Sequence, residues 1–378
     1  MINNSNHTIA LQKQQSANRL VAMLCMVVAL FVMKQTSLAQ DPTFSQYNLN
    51  QYYYNPAYTG NHGGYQVAAT YRTLWPNVPG KVSTGPLSAY DVIADAYIKA
   101  GNSYTAGAGL FVIQNVQGEG YLTTTTAGIS YAQHFMKISA SKDALPRFQL
   151  SIGFKAYFNS ISLNWDKLVF SDQLNLFQPN SAQSAADHNG IALKFNGDMD
   201  LGLLAKHNFK GKDKWYNEFG FAIAHILSPS NSLTGSVGSI GRTPRKYIAT
   251  YRSSISLDTK RFYIGPTILF ENQGPFYELN TGVDLFINPK RNPSIIPFCF
   301  SVIHRLAVQH TATNTNALIA AVRYKGGIGD KFKVVYNIGF AVDLPYSGLA
   351  MQTKGAYEIS LSLLFPRKNN DNFSKCPF

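Results

Sequence analysis

The sequence predicts an all-β fold: a transmembrane antiparallel β-barrel of about 14 strands with long outer loops and short periplasmic turns. Three observations lead there. Charged residues are 14% of the 378 positions, while 22 Tyr and 24 Phe help bring aromatics to 13%; ordinary soluble domains carry roughly 25% charge. Mean hydropathy is only −0.11, and beyond the N-terminal leader no stretch stays apolar for the roughly 20 residues of a membrane helix. Period-two alternation, finally, runs for ten or more residues at a time. That exceeds the usual 5–6 residues of a globular strand and fits the roughly 9–11 of a strand tilted across a bilayer.

The elements follow in chain order. Residues 1–39 read as a cleaved secretory signal. Lys13 and Arg19 precede the apolar run Leu20 to Met33, and Ser37-Leu38-Ala39 puts small residues at −3 and −1, so cleavage is expected after Ala39. The alternative is an uncleaved anchor helix, for which the run is short. Residues 40–63 form an N-terminal lead-in with five tyrosines between 44 and 60, where Asn55-Pro56 breaks regular structure. The barrel is expected over 64–365, with strands at 65–72, 88–98, 103–113, 121–133, 147–158, 198–207, 217–227, 245–256, 261–271, 276–287, 294–305, 316–325, 331–342 and 355–365. An even number suits a closed bacterial barrel. Closure is required, because an edge in lipid would leave N–H and C=O groups unpaired. Pro297 inside the eleventh strand implies a bulge or a different boundary. The tail 366–378 is expected on the periplasmic side.

Alternation assigns faces. In 147–158, Phe148, Leu150, Ile152, Phe154, Ala156 and Phe158 oppose Gln149, Ser151, Gly153, Lys155 and Tyr157. A charge facing mid-bilayer lipid costs up to about 2–4 kcal/mol, so Lys155, Asp200, Arg252, Glu278, Asp284, Lys333 and Glu358 are expected to face the lumen. Connections after odd strands include the long 73–87, 159–197, 228–244 and 343–354; those after even strands are mostly short, although 134–146 is long for a turn.

The formal charge is +13, and losing Lys13, Arg19 and Lys34 leaves +10. Twelve basic residues fall in the expected periplasmic turns, Lys210, Lys212 and Lys214 among them, against four acids. They are either solvated turn residues or a rim that docks an acidic periplasmic partner or anionic headgroups. Cys299 and Cys376 remain after cleavage; one disulfide is possible, and two free thiols are the simpler reading.

Several segments, in order, carry a family resemblance. They are "QDPTFSQYNLNQYYYNPAYTG" (40–60), "YRTLWPNVPG" (71–80), "GAGLFVIQNVQGEG" (107–120), "SLNWDKLVFSDQL" (162–174) and "GAYEISLSLLF" (355–365). Together they resemble the PorP/SprF family of outer-membrane proteins in Bacteroidetes type IX secretion and gliding motility. The family more usually has a His before the Glu of the closing strand, where this chain has Tyr357. The resemblance implies an integral barrel without catalytic chemistry, needed for export or surface attachment of secreted proteins such as large adhesins. Its implied partners are outer-membrane lipid, a secreted protein or its C-terminal domain, and periplasmic components of the system; no nucleic acid is implied. On this view 44–60 packs against or inside the barrel mouth from the periplasmic side, its tyrosines anchoring at the interface. Candidate partner contacts are Tyr53, Asn55 and Pro56 in the lead-in, Trp165, Lys167, Phe170, Asp172 and Gln173 in the 159–197 loop, and Lys210, Lys212 and Lys214 on the rim.

Signatures of enzymes are missing from the sequence. It holds no Gly-x-Ser-x-Gly, His-Glu-x-x-His or Cys-x-x-Cys, and no catalytic residue, metal or cofactor is expected. Asp198 and Asp200 share a strand face and either bind a cation or are plain lumen residues; His225 and His304 sit singly in strands. Three functions stay open: an accessory of protein export, a porin or solute channel, and a barrel hydrolase.

Overall fold

The computed structural model describes residues 41–76, 87–99, 104–137, 148–168, 191–208, 215–231, 233, 241–258, 261–289, 296–309, 316–329, 334–346 and 355–366. The signal, most turns at the expected periplasmic side and the C-terminal tail lie outside these residues. Fourteen strands among the described residues form one closed antiparallel barrel in which each strand pairs with its sequence neighbours and β1 closes on β14. They are β1 (Gly64–Leu74), β2 (Leu87–Lys99), β3 (Tyr104–Gln117), β4 (Leu122–Lys137), β5 (Phe148–Asn164), β6 (Ile191–Asn208), β7 (Trp215–Ala224), β8 (Lys246–Asp258), β9 (Phe262–Gln273), β10 (Phe276–Ile287), β11 (Phe298–Gln309), β12 (Ala317–Ile328), β13 (Val334–Pro345) and β14 (Ala356–Pro366). No described helix is long and apolar enough to cross a membrane.

The alternation resolves into two faces. In β5, Phe148, Leu150, Ile152 and Phe158 are exposed on the outside while Gln149, Ser151, Lys155 and Tyr157 are buried inside. The outer surface is a sleeve of exposed Leu, Val, Ile, Phe and Tyr, a pattern that water would not tolerate over such an area but lipid requires. Aromatic pairs mark its borders: Phe298 and Tyr324 stand 5.3 Å apart at one end, and Tyr71 and Tyr90 stand 4.8 Å apart at the other. Each charged residue expected inside that the structure describes is buried there: Lys155, Asp200, Arg252, Glu278, Asp284 and Glu358. Lys333 lies outside the described residues.

Boundaries moved where local pattern was weak. Pro297 precedes β11 instead of interrupting it, and its carbonyl accepts from the Lys325 N–H at 2.8 Å. A missing donor is harmless at that position. β7 ends at Ala224, because His225 takes a left-handed backbone (φ 58°) that no strand accommodates. The largest change is at the expected 159–197 loop. Its flanks, Asn159–Asn164 and Ile191–Gly197, continue β5 and β6 as a paired hairpin. Asn159 donates to Asn196 at 3.0 Å across that pair, so asparagines that suggested a loop serve here as a cross-strand link.

The barrel has a long-loop end, where β1–β2, β5–β6, β7–β8 and β13–β14 connect, and a short-turn end, where β2–β3, β8–β9 and β12–β13 connect. Between them, the lumen is filled. Residues 41–63 enter it as a turn at 45–49, a single helical turn α1 (Gln51–Tyr54) and a 3-10 turn (Pro56–Tyr58). Phe44, Tyr47 and Tyr54 are fully buried against small apolar wall residues, among them Ala89, Ala222, Ile248, Leu269 and Ala341. The tyrosines expected at the membrane interface therefore sit inside the barrel. Each finds a ring or polar neighbour there, which an aromatic with one polar tip needs when buried.

Candidate functional site in the barrel lumen

The lumen wall grips the 41–63 segment along its length. At the long-loop end, the Asp41 carboxylate faces His225 Nε2 at 2.8 Å, and the Asp41 N–H donates to Gln273 Oε1 at 3.0 Å. Next, Glu358 accepts the backbone N–H groups of Ser45 and Gln46 at 2.6 and 2.8 Å. Around this turn, Arg72 pairs with Asp343 at 2.6 Å and Glu358 at 3.2 Å. Arg305 bridges Asp343 at 2.6 Å and Glu278 at 3.0 Å. Ser45 Oγ donates to Asp343 at 2.5 Å. Five strands thus converge on two backbone amides, with every charge facing an opposite one. Buried charges persist only when paired this fully.

Further in, Asn48 donates to Asp284 at 2.9 Å and its carbonyl accepts from Arg252 at 3.2 Å. The free carbonyls at the end of α1 are met by Lys155, 3.0 Å from the Tyr53 oxygen, which also pairs with Asp200 at 3.1 Å. Toward the short-turn end the Tyr58 hydroxyl donates to Glu218, itself 3.4 Å from Lys206. His134 Nε2 donates to the Thr59 carbonyl at 2.9 Å while its Nδ1 accepts from Ser151 at 2.8 Å. The Gly60 N–H donates to Asp95 at 2.5 Å, and Asn61 accepts from Gln149 at 2.9 Å. The segment therefore threads the whole lumen, from the loop-side ends of β7 to β9 down to the start of β1.

Close backbone approach explains several wall glycines. A Cβ at Gly153 would overlap the backbone of Pro56 and Ala57, one at Gly202 the Asn55 side chain, and one at Gly107 the Thr59 carbonyl. The wall is contoured to the segment, with side chains removed where the backbone passes.

Of the residues expected to bind a partner, Tyr53, Asn55 and Pro56 lie in this plug. The Tyr53 hydroxyl donates to the Pro42 carbonyl at 2.6 Å. Asn55 caps the 3-10 turn, accepting from the Ala57 N–H at 2.9 Å, and donates to the Leu203 carbonyl at 2.9 Å. Trp165 and Lys167 lie elsewhere, in a 3-10 turn at the tip of the β5 arm, where Lys167 stands 3.9 Å over the Tyr121 ring. Phe170, Asp172, Gln173, Lys210, Lys212 and Lys214 lie outside the described residues. Asp198 binds the turn after β7, accepting from His225 Nδ1 at 2.8 Å and the Leu227 N–H at 3.1 Å. His304 stacks on Tyr346 at 5.8 Å. Among the described residues no group of three or more His, Cys, Asp or Glu is placed to hold a metal ion. Cys299 is a free, buried thiol.

The anchors that sequence reading missed are Arg72, Arg305, Asp343, Glu218 and His134. Their one signal was charge or a ring nitrogen on the inner face of a strand.

The model for the type IX secretion system membrane protein PorP/SprF matches residues 36–363. The chain belongs to the PorP/SprF family. Among solved structures it is similar to the P. putida toluene transporter TodX, at 11% identity and TM-score 0.44, covering 83% of this chain and 93% of that one. It is also similar to a Pseudomonas aeruginosa FadL homologue, at 11% identity and TM-score 0.41, covering 80% and 89%. Likenesses this distant carry no argument about function. No curated protein matches the chain. This PorP/SprF protein is an outer-membrane β-barrel of type IX secretion, and its family's role implies contact with other components of that system.

The Asp41–His225 contact makes the start of the plug pH-dependent. Burial alone would raise the carboxyl and lower the ring. The facing charges override it, holding Asp41 below the usual carboxylate range and pushing His225 up to about 10 through Asp41, Asp198 and Asp200. A raised His contributes stability that is complete below its ordinary value near 6.5 and is lost as pH rises through about 10. A depressed Asp contributes above its ordinary value and loses it as pH falls toward the lower folded value. Hydrogen exchange of residues 41–46 should therefore be slow at neutral pH and faster above pH about 10. His225→Asn should speed it already at pH 7. Equal protection of wild type and variant would show that this contact holds nothing.

Proposed function

We propose that this PorP/SprF protein is a non-enzymatic component that supports export or surface attachment of particular secreted proteins, large adhesins among them, and does not conduct solutes as a porin. One observation carries the choice: the lumen is occupied by the chain's own 41–63 segment, tied to buried ion pairs on most strands of the wall. A porin needs a water-filled lumen; this one has been given over to a fixed insert. The polar wall that would otherwise line a channel is spent on holding that insert.

In this reading the client meets the barrel at the long-loop end, where Trp165 and Lys167 present an aromatic and a charge, with Phe170, Asp172 and Gln173 following in the sequence. The basic residues Lys210, Lys212 and Lys214 face the periplasmic machinery, an attraction that weakens with salt as the Debye length falls from about 10 Å at 0.1 M to 3 Å at 1 M. The client contributes its C-terminal domain.

Two measurements test the proposal. Deleting the gene should remove one or a few large proteins from the cell surface without changing uptake of small solutes. The purified barrel in liposomes should give sugar flux near that of protein-free vesicles. Fast sugar flux, with an unchanged surface proteome in the deletion strain, would establish the porin instead.

A further inference from the structure

The two ends of the plug lie on opposite sides of the membrane, and in the reverse of the order that a lead-in from the periplasm would give. Its last residues sit at the short-turn end. Gly60 bonds Asp95, Asn61 bonds Gln149 near the start of β5, and β1 begins there at Gly64. Asp41 sits at the long-loop end. It meets Gln273, the last residue of β9, at 3.0 Å, Lys246, the first of β8, at 3.9 Å, and His225, one past β7, at 2.8 Å. The 12 residues of β9 carry the wall from one end to the other, about 30 Å at a rise of ~3.4 Å per residue and a tilt of ~40°. The chain before Asp41 therefore leaves from the outer mouth. A return to the periplasm would need a second pass through a lumen where Phe44 of the plug and Leu269 and Ile319 of the wall pack in one cluster at 0% exposure.

We propose that cleavage after Ala39 frees the start of the chain to thread outward through the barrel, so that the mature amino terminus is displayed at the cell surface and the lumen closes only after the leader is gone. Reach sets this order. The apolar run of the leader ends at Met33, eight residues before Asp41, at most ~28 Å of extended chain at ~3.5 Å per residue. One bilayer with its headgroups is ~40–45 Å thick. A chain still anchored in the inner membrane by that run cannot seat Asp41 at the outer mouth of a second membrane. The segment is also suited to the passage. Apart from His62, its one ionisable residue of the acid or base type is Asp41 at its head, so little charge is desolvated on the way. On arrival that carboxylate finds His225 and Lys246 as counter-charges, which latch the segment in place. The inference is independent of the export reading above.

Insertions into the full-length protein in cells test it. A short flexible epitope between Gln40 and Asp41 keeps Ser37 to Gln40 for cleavage and adds no folded bulk. Antibody should bind it on intact cells, whereas the same epitope within 209–214, at the short-turn end, should be reached only after permeabilisation. A tightly folded domain between Gln40 and Asp41 cannot be threaded. The barrel should then stay heat-modifiable in gels, while limited proteolysis cuts between Tyr52 and Tyr58, a cut that the parent resists. Ala39→Tyr puts a bulky residue at −1 and blocks cleavage; no heat-modifiable chain with a protected plug should form from it. A protected plug in the folded-domain fusion or in the uncleaved chain would overturn the proposal. So would an epitope that antibody reaches only after permeabilisation, on a barrel whose plug is protected, because the amino terminus would then lie in the periplasm.

Discussion

Replacing Gly153 and Gly202 together with leucine should drive the 41–63 segment out of the lumen and leave the fourteen-strand wall closed. Both glycines lie within strands, and neither has a positive φ, so the wall backbone accepts a side chain. The plug does not: a Cβ at Gly153 already overlaps the Pro56–Ala57 backbone, and one at Gly202 overlaps Asn55. Overpacking of a close-packed interior costs about 1–3 kcal/mol per site; at Gly153 the strained partner is main chain, which has no rotamer to yield, and at Gly202 it is the Asn55 side chain. Limited proteolysis should cut between Tyr52 and Tyr58 in the variant and not in the parent. Single-channel recordings in planar bilayers should show steady conductance where the parent shows little. Gly153→Ala alone should give a partial form of both effects, a check that applies even if the double variant assembles poorly. Parent-like protease resistance and conductance in both variants would mean that the wall is not shaped around the plug.

Glu358→Ala should be among the most destabilising single changes in the barrel, at about 3–5 kcal/mol, the usual cost of stranding a buried charge. The carboxylate is 1% exposed, accepts from Ser45 and Gln46, and faces Arg72. Without it two amide N–H groups lose their acceptor and Arg72 keeps only Asp343. Glu358→Gln retains one acceptor oxygen and should lose roughly half as much. Urea titration of the detergent-folded protein, followed by tryptophan fluorescence, measures the difference. Hydrogen exchange localises it: protection should fall at 44–47 before it falls in the strands. A loss below about 0.5 kcal/mol, typical of a surface substitution, would mean that the turn is held by its aromatic packing alone.

Which parts were legible in the sequence follows from the range of the interactions that decide them. Side-chain direction along a strand is set by the residue's own backbone, so alternation in "RFQLSIGFKAYF" and "YELNTGVDLFI" already separates lipid face from lumen face. The cost of a charge in lipid puts Lys155, Glu278, Asp284 and Glu358 inside. Strand number follows from the same pattern, and closure from the hydrogen-bonding demand of a bilayer. Where the pattern weakened, at the asparagines of 159–164 and 191–197, local reading ended the strands too early. The cross-strand Asn159–Asn196 bond exists only once the hairpin has formed.

What each inward charge meets could not be read, because the partners lie far apart in the chain. Ser45 and Glu358 are 313 residues apart, and Asn48 and Asp284 are 236 apart. "DPTFSQYNLNQYYYNPAYTGN" contains turn signals, tyrosines and almost no charge, which suits an interfacial lead-in as well as a plug. Only the assembled wall distinguishes them, since it brings glycines and ion pairs from many strands around one path. Thus the sequence alone determined a fourteen-strand outer-membrane barrel and its two faces, through rules each residue obeys locally. The tertiary structure decided that the lumen is occupied and how its insert is held, since both depend on segments that meet only when the barrel closes.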